Sequence, residues 1–203
     1  VKVLYIPGLE YGRDKDKSSW KTVAKAAKKA DAIIVCLGEE QILSGEAHSL
    51  ADIGLKGAQT EYVEFLSSLS KPLIATVMSG RANTVEKEAG LVDALIWQFH
   101  PGTMGGKALV DIVFGKVNPS GKLPITFPRM VGQCPIFYNE FRTGRSDKNL
   151  KAVSSLDDIP RNAKQSVLGH DCRYLDAGTK PLFPFGFGLS YTKFHFGKPL
   201  VEN

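Results

Sequence analysis

Five titratable side chains lie close together in one loop that follows a predicted strand. The loop carries Glu39, Glu40, Glu46, His48 and Asp52 within fourteen positions. Carboxylates grouped in this way suit general acid and base chemistry, in which one side chain donates a proton and another removes one. A solvated surface loop has the same composition, and for a generic α/β domain that simpler interpretation is favoured.

Two further loops follow predicted strands, and ligands of open α/β sheets collect beyond the carboxyl ends of such strands. Arg81 follows an apolar run, where its guanidinium group could reach a ligand or a carboxylate of another domain, although a structural role is favoured. The segment from Pro101 to Lys107 is rich in glycine and resembles a phosphate-binding loop. It lacks the pattern GxxxxGK followed by serine or threonine, because Pro101 and Ala108 occupy two of the required positions. Its glycines are therefore expected to allow close packing of a helix.

Apolar runs alternate along the chain with segments of helical period. Strands are predicted at residues 1–7, 32–37, 73–78 and 94–99. Helices are predicted at residues 19–30, 58–69, 83–89 and 104–114. Continuous apolar strands between helices indicate a mostly parallel sheet covered on both faces, which is an α/β fold. The second helix is expected to bury one face, formed by Ala58, Tyr62, Phe65, Leu66 and Leu69. Asn83 with Glu86, and separately Thr103, are predicted to cap the third and fourth helices.

The last third of the chain has weaker periodicity. A further strand is predicted at residues 123–127, followed by an irregular stretch over roughly 128–180. Leu189–Phe194 alternates like a terminal strand with one buried face. Residues 1–127 are therefore expected to form the α/β core, and residues 128–196 an irregular extension of the same domain that ends in a β-strand.

Composition limits the function classes. The chain has 203 residues, of which 43% are hydrophobic and 23% charged, as expected for one globular domain. The net charge is +5 and the isoelectric point is near 9.0, but the densest lysine cluster falls on the polar side of a predicted helix, at Lys21, Lys25, Lys28 and Lys29. A solvated helix face is favoured over a nucleic-acid surface. No apolar run approaches the ~20 residues that cross a bilayer, so no membrane partner is expected.

Three cysteines, an odd number, show no spacing typical of metal ligands, and no metal or cofactor is expected. Cys36 lies in an apolar run and is predicted to be a small core residue. A disulfide between Cys134 and Cys172 is left open. The chain begins without methionine and with a strand-like segment, which suggests a fragment or a processed product.

Four sequence blocks occur in a fixed order. They are Leu37-Gly38-Glu39 with Ser44-Gly45-Glu46, then Pro101–Gly106, then Asn118–Pro124, and finally the segment PLFPFGFGLSYTKF at residues 181–194. Together they resemble the C-terminal α/β-sandwich domain of family 3 glycoside hydrolases, and their spacing is most similar to the bacterial periplasmic β-glucosidase branch.

This resemblance implies a three-layer α/β sandwich with a flavodoxin-like sheet. It further implies an N-terminal (β/α)8 barrel as partner in the same polypeptide, and residues 197–203 as the start of a linker to a following domain. The implied activity is that of a retaining exo-acting β-glycosidase, most similar to a β-glucosidase, which acts on oligosaccharides or aryl β-glycosides in the periplasm or outside the cell. The aspartate nucleophile would belong to the barrel, so the isolated chain is expected to be inactive.

The resemblance also implies roles for particular residues. Glu46 matches the position of the family's general acid/base, which reaches over the barrel's active site. Glu39, His48 and Arg81 are candidate substrate-binding residues. Two other interpretations remain: a flavodoxin-like module that binds a nucleotide or a small anion, and a sandwich domain with a purely structural role. No GxGxxG fingerprint follows the first predicted strand, which disfavours the nucleotide module.

Overall fold

The computed structural model describes residues 1–139, 156–165, 174–195 and 197–201. Strands and helices alternate through the first half of the chain, as the apolar pattern predicts. The strands are β1 (Ile33–Gly38), β2 (Leu73–Met78) and β3 (Ala94–Trp97), and the helices are α1 (Trp20–Ala27), α2 (Gln59–Ser67), α3 (Glu86–Leu91) and α4 (Gly105–Val113).

The three strands form one parallel sheet in the order β1-β2-β3. Helix α2 connects β1 to β2, and α3 connects β2 to β3, which is the crossover that parallel neighbours require. In the register, Gly38 lies opposite Met78. The carboxyl ends of β1 and β2 therefore meet at the same edge. The α/β class predicted from the sequence is confirmed.

The hydrophobic core lies between one face of the sheet and the first two helices. Alternate residues of β1 and β2 point to this face and are at most 4% exposed, namely Val35, Leu37, Leu73, Ala75 and Val77. They form one cluster with Val23 of α1 and with Tyr62, Val63 and Leu66 of α2. The predicted buried face of α2 is thus confirmed at its centre, and the four lysines of the first helix region are exposed, as predicted.

The other face of the sheet is open along β1 and at the last residue of β2, contrary to the expectation that both faces are covered. Ile34 is 45% exposed, Met78 is 42% exposed and Cys36 is also exposed. These side chains alternate with the core residues and therefore point to the opposite face of the sheet. None of the described helices covers them there. The prediction of Cys36 as a core residue is therefore wrong.

Three predicted strands are not strands. Residues 1–7 pair with none of the described residues, and the side chains of Val1, Val3 and Tyr5 are exposed. Residues 189–194 also form no strand. The face that the pattern predicts to be buried is in solvent, with Leu189 76% exposed and Tyr191 60% exposed. An alternating apolar pattern is not sufficient for a strand, because the backbone N–H and C=O groups of a strand also need a partner strand.

Residues 123–127 pair only partly. Phe127 forms an isolated antiparallel bridge with Phe183, and the Leu123 N–H donates to the Phe187 carbonyl oxygen at 2.8 Å. Phe127 is 1% exposed and meets the ring of Trp97 at a centroid distance of 4.8 Å. The predicted strand is thus an extended segment that fixes residues 182–187 against the end of the sheet.

The predicted helix caps are also wrong. Helix α3 has Val85 at its N-cap and α4 has Met104, and neither helix has a side-chain cap hydrogen bond. The Asn83 amide is used elsewhere, as described below. The start of α4 is shaped instead by close packing, because a Cβ on Gly105 would lie 2.5 Å from Cβ of Pro101.

Within the described ranges, no helix has both the length and the apolar character needed to span a membrane. Cys172 lies outside the described residues, and with it the proposed pairing to Cys134. The division at residues 127 and 196 stays a prediction.

Candidate functional site

The site is built where β1 and β2 end side by side. The Glu39 N–H donates to the Met78 carbonyl oxygen at 3.0 Å, which continues the ladder by one bond beyond β1. Gly38 has φ of +151°, and a Cβ there would overlap with the Met78 carbonyl group. Glycine therefore allows the two strand ends to approach, and the residues that follow them are brought together.

The Glu39 carboxylate lies at the centre of a buried polar network. Its side chain is only 2% exposed, and its Oε2 atom lies 3.2 Å from Nε of Arg81. Ser79 Oγ donates to Oε2 at 2.9 Å, and Asn83 Nδ2 donates to Oε1 at 3.3 Å. A buried carboxylate without partners is strongly unfavourable, and here one cation and two neutral donors compensate its charge.

Arg81 and Asn83 extend this network to the loop that carries Glu46. Nη2 of Arg81 donates to the carbonyl oxygen of Leu43 and, at 3.0 Å, to that of His48. Nδ2 of Asn83 donates to the Ile53 carbonyl oxygen at 2.8 Å. The loop is thus held to the ends of the strands on both sides of Glu46.

The loop has defined internal turns. A 3-10 turn spans Gln41–Leu43, and the His48 N–H donates to the Gly45 carbonyl oxygen at 3.2 Å. Gly45 and Ala47 have φ of +123° and +63°, on either side of Glu46. The backbone between Leu43 and His48 therefore forms an arch, and the exposed Glu46 lies at its tip.

Two ion pairs flank the arch. Glu40 pairs with Arg13 at 2.6 Å, and the hydrogen bond from that guanidinium group lowers the pKa of Glu40 and raises that of Arg13. At the other side, Asp52 accepts from the Gly54 N–H at 2.9 Å and from Lys56 Nζ at 3.0 Å. The first of these bonds is the main reason that the pKa of Asp52 lies below its usual value. Asp52 thus stabilises the turn before α2.

The structure brings three of the four predicted site residues into one assembly. Glu39 and Arg81 face each other, and the His48 carbonyl oxygen accepts from Arg81. The His48 ring is exposed, with Nδ1 3.3 Å from the Ser44 carbonyl oxygen. Glu46 carries the exposed carboxylate, and none of the described residues forms a hydrogen bond or an ion pair with it.

Sequence reasoning missed Ser79 and Asn83. Both side chains are fully buried and polar, and both contact Glu39. Ser79, Arg81 and Asn83 occupy alternate positions after β2, which is a signal for polar side chains on one side of the chain, but the spacing of Asn83 to Glu86 predicts a helix cap instead. The described part of the chain contains no group of three or more His, Cys, Asp or Glu side chains that could hold a metal ion.

Two surface depressions adjoin this assembly. One, of about 230 Å³, lies at the ends of β1 and β2 and is lined by Tyr11, Cys36, Glu39, Glu40 and Met78, among others. The other, of about 370 Å³, is apolar and reaches from Ile53 and Ala82 to a pair of stacked rings, Tyr138 and Phe185, whose centroids are 4.4 Å apart.

Comparison with known proteins identifies relatives over nearly the whole chain. Residues 10–191 match the family described as the glycosyl hydrolase family 3 C-terminal domain. A periplasmic β-glucosidase of Salmonella typhimurium is 39% identical over 84% of the chain, and a β-xylosidase of Formosa agariphila is 32% identical over all of it. The crystal structure of a β-glucosidase from Listeria innocua in complex with isofagomine superposes with a TM-score of 0.76 and 36% identity over 89% of the chain.

The chain spans only a part of these relatives. It covers 20% of the Salmonella protein, 25% of the Formosa protein and 23% of the Listeria chain. The relatives are thus proteins of several times this length, in which the matched domain is one component.

Proposed function

Since this chain belongs to the family of C-terminal domains of family 3 glycosyl hydrolases, we propose that it carries the general acid/base, Glu46, of a retaining exo-acting β-glycosidase. The observation that supports this proposal is the exposed carboxylate at the tip of an arch that two hydrogen bonds from Arg81 hold at the edge of the sheet. A carboxylate held this way is presented outward, toward a surface of another domain or a substrate.

Retaining hydrolysis uses two carboxyl groups about 5–5.5 Å apart. One attacks the anomeric carbon and forms a glycosyl-enzyme ester, while the other donates its proton to the departing oxygen. The second carboxylate then removes a proton from the water that cleaves the ester. In the proposal, Glu46 performs both proton transfers, and an N-terminal (β/α)8 barrel of the same polypeptide supplies the nucleophile.

Glu46 must hold a proton when it acts as the acid. Exclusion of water from a carboxyl group favours the neutral, protonated form. Glu46 is exposed in this domain. The proposal therefore requires that the barrel and the bound substrate cover this carboxyl group in the complete enzyme.

We propose terminal β-linked glucose as the preferred glycone, in oligosaccharides or aryl glycosides. The support is the similarity to relatives named β-glucosidases, at 39% and 36% identity, against 32% for a β-xylosidase. The periplasm or the exterior of the cell is proposed as the location, since one of these relatives is a periplasmic enzyme. Direct contact of Glu39, His48 or Arg81 with the substrate stays a prediction, and for Glu39 and Arg81 the alternative is a role in positioning Glu46.

The proposal is tested with the full-length enzyme and nitrophenyl glycosides. We expect a higher kcat/KM for the β-glucoside than for the β-xyloside, and NMR should detect the β-anomer of the sugar as the first product. If the α-anomer forms first, the enzyme inverts, and the two-step mechanism with Glu46 in both proton transfers is wrong.

A further inference from the structure

One guanidinium group joins the two ends of the arch. Nη2 of Arg81 donates to the carbonyl oxygens of Leu43 and His48, and Glu46 lies between these two residues. Carbonyl groups satisfied by the same cation cannot move apart without losing one of the bonds. The position of the arch tip therefore depends on where that guanidinium group is held.

The guanidinium group is in turn held by the sheet. Its Nε atom pairs with the buried Glu39 carboxylate at 3.2 Å, and the backbone N–H of Arg81 donates to Ser79 Oγ at 3.1 Å. Glu39 directly follows β1 and Ser79 directly follows β2. The arch is thus connected to two parallel strand ends through a short series of charged and polar contacts.

The arch has a backbone that benefits from such support. Ala47, beside Glu46, has φ of +63°, a conformation that is uncommon for residues other than glycine. Conformations of this kind persist when surrounding contacts enforce them. The bonds to Leu43 and His48 supply such contacts on both sides of Ala47.

We propose that Arg81 is a positioning residue that acts through Glu46, and that Glu39 acts through Arg81. This inference rests on the proposed acid/base role of Glu46. The planar guanidinium group carries out a task that lysine cannot, because it pairs with a carboxylate through one nitrogen while another donates to two carbonyl oxygens. Arg81 then affects proton transfer without touching the sugar.

Positioning and direct substrate contact lead to different kinetics. A residue that binds substrate equally in the ground state and in the transition state changes KM. A residue that places the acid changes kcat, most for leaving groups that need protonation. The two roles are therefore separated by a series of substrates with poor and good leaving groups.

The experiment uses Arg81→Lys in the full-length enzyme. On phenyl β-glucoside, a poor leaving group, we expect kcat to fall about 10- to 100-fold with KM unchanged, since a small misplacement of a catalytic group has effects of this size. On dinitrophenyl β-glucoside with azide present, which needs neither the acid nor the base, the rate should be close to that of the parent. In the Glu46→Ala background, Arg81→Lys should cause no further loss.

Arg13→Lys is the matched control, because Arg13 also pairs with a carboxylate at the start of this loop but donates no hydrogen bond to any residue of the arch. It should leave the dependence on leaving group unchanged. Thermal melting shows whether Arg81→Lys folds. If it does not, Glu39→Gln replaces it as the test variant and should show the selective loss on poor leaving groups that is expected for Arg81→Lys.

Three results would overturn the positioning role: no loss, a loss through KM for all substrates, or a loss that adds to that of Glu46→Ala. In each of these cases the acid/base role of Glu46 is unaffected if Glu46→Ala alone slows the phenyl glucoside. If Glu46→Ala spares that substrate, the proposed function is wrong, and the positioning role is overturned with it.

Discussion

Gly38 and Met78 lie opposite each other at the last pair of the β1-β2 ladder, with no room for a side chain between them. A Cβ on Gly38 would overlap with the Met78 carbonyl group, and φ at Gly38 is +151°. The next residue, Glu39, donates its N–H to that same carbonyl oxygen at 3.0 Å. The network below the arch therefore depends on a close contact between two strand ends.

Gly38→Ala should destabilise the domain by ~1–3 kcal/mol, because the new methyl group must displace Met78 or force a strained backbone. Urea unfolding measures the change. Gly90→Ala is the matched control, since nothing but the chain neighbours and the helix's own backbone lies within 4 Å of a Cβ at that position in α3, and helix propensity predicts a gain of ~0.5–1 kcal/mol. Equal effects of the two substitutions would contradict the packing argument.

Leu66→Ala and Leu189→Ala should differ strongly, although the chemical change is the same. Leu66 is 1% exposed in the core, and its truncation should cost ~2–5 kcal/mol. Leu189 is 76% exposed, so its truncation should change the free energy of unfolding by less than about 0.5 kcal/mol. Chemical denaturation of both variants checks this, and a large loss at Leu189 would restore the terminal strand with a buried face.

Asp52→Asn should reduce stability at pH 7 but not in acid. The hydrogen bond from the Gly54 N–H and the charge of Lys56 lower the pKa of Asp52 in the folded state. A lowered pKa gives stability that is present above the unfolded value, near 4, and is lost as pH falls through the folded value. The parent should exceed the variant by less than ~1 kcal/mol at pH 7, as for other surface pairs.

Thermal melting of parent and Asp52→Asn from pH 7 to pH 2 provides the test. The difference in stability should shrink as the pH falls below 4. Lys56→Gln should remove part of the same pH dependence, because Lys56 is one of the two groups that favour the charged carboxylate. A difference that stays constant over this range would show that Asp52 acts through shape and not through charge.

The 203-residue chain by itself should hydrolyse no glycosides. Retaining hydrolysis needs a nucleophile beside the acid/base, and in our proposal that nucleophile belongs to the barrel. Loss of one member of a cooperating pair removes most of the acceleration. The purified chain should therefore show no turnover of aryl β-glucosides or β-xylosides. Turnover that follows the chain through purification, and disappears in Glu46→Ala, would contradict the two-domain account.

The sequence predicts the elements that are stabilised by their own pattern. The strands at residues 33–38, 73–78 and 94–97 and the four helices are found because an apolar run or an amphipathic face is a local property. Residues 1–7 and 189–194 have similar patterns but no partner among the described residues, and pairing is not a local property. The same limit explains Cys36, whose exposure depends on what covers the second face of the sheet.

The sequence predicts the site only in part, for a similar reason. The positions of Glu39, Glu46 and Arg81 in loops after strands mark them as candidates, but the functional roles predicted for them come from the family resemblance. The contacts among them depend on the β1-β2 register, which places Gly38 opposite Met78. Asn83 shows the limit most clearly, since its spacing to Glu86 predicts a local cap while its amide bridges Glu39 and the Ile53 carbonyl oxygen.

Glu46→Ala in the full-length enzyme, assayed with and without azide, tests the central claim most directly. If Glu46 is the acid/base, the variant should lose activity most on substrates with poor leaving groups and should lose the alkaline limb of its pH–rate profile. Azide needs no base, so it should restore turnover of dinitrophenyl β-glucoside, and NMR should identify the product as the β-glucosyl azide. A variant that keeps the parent's rates on poor leaving groups and forms no azide adduct would contradict the acid/base role of Glu46.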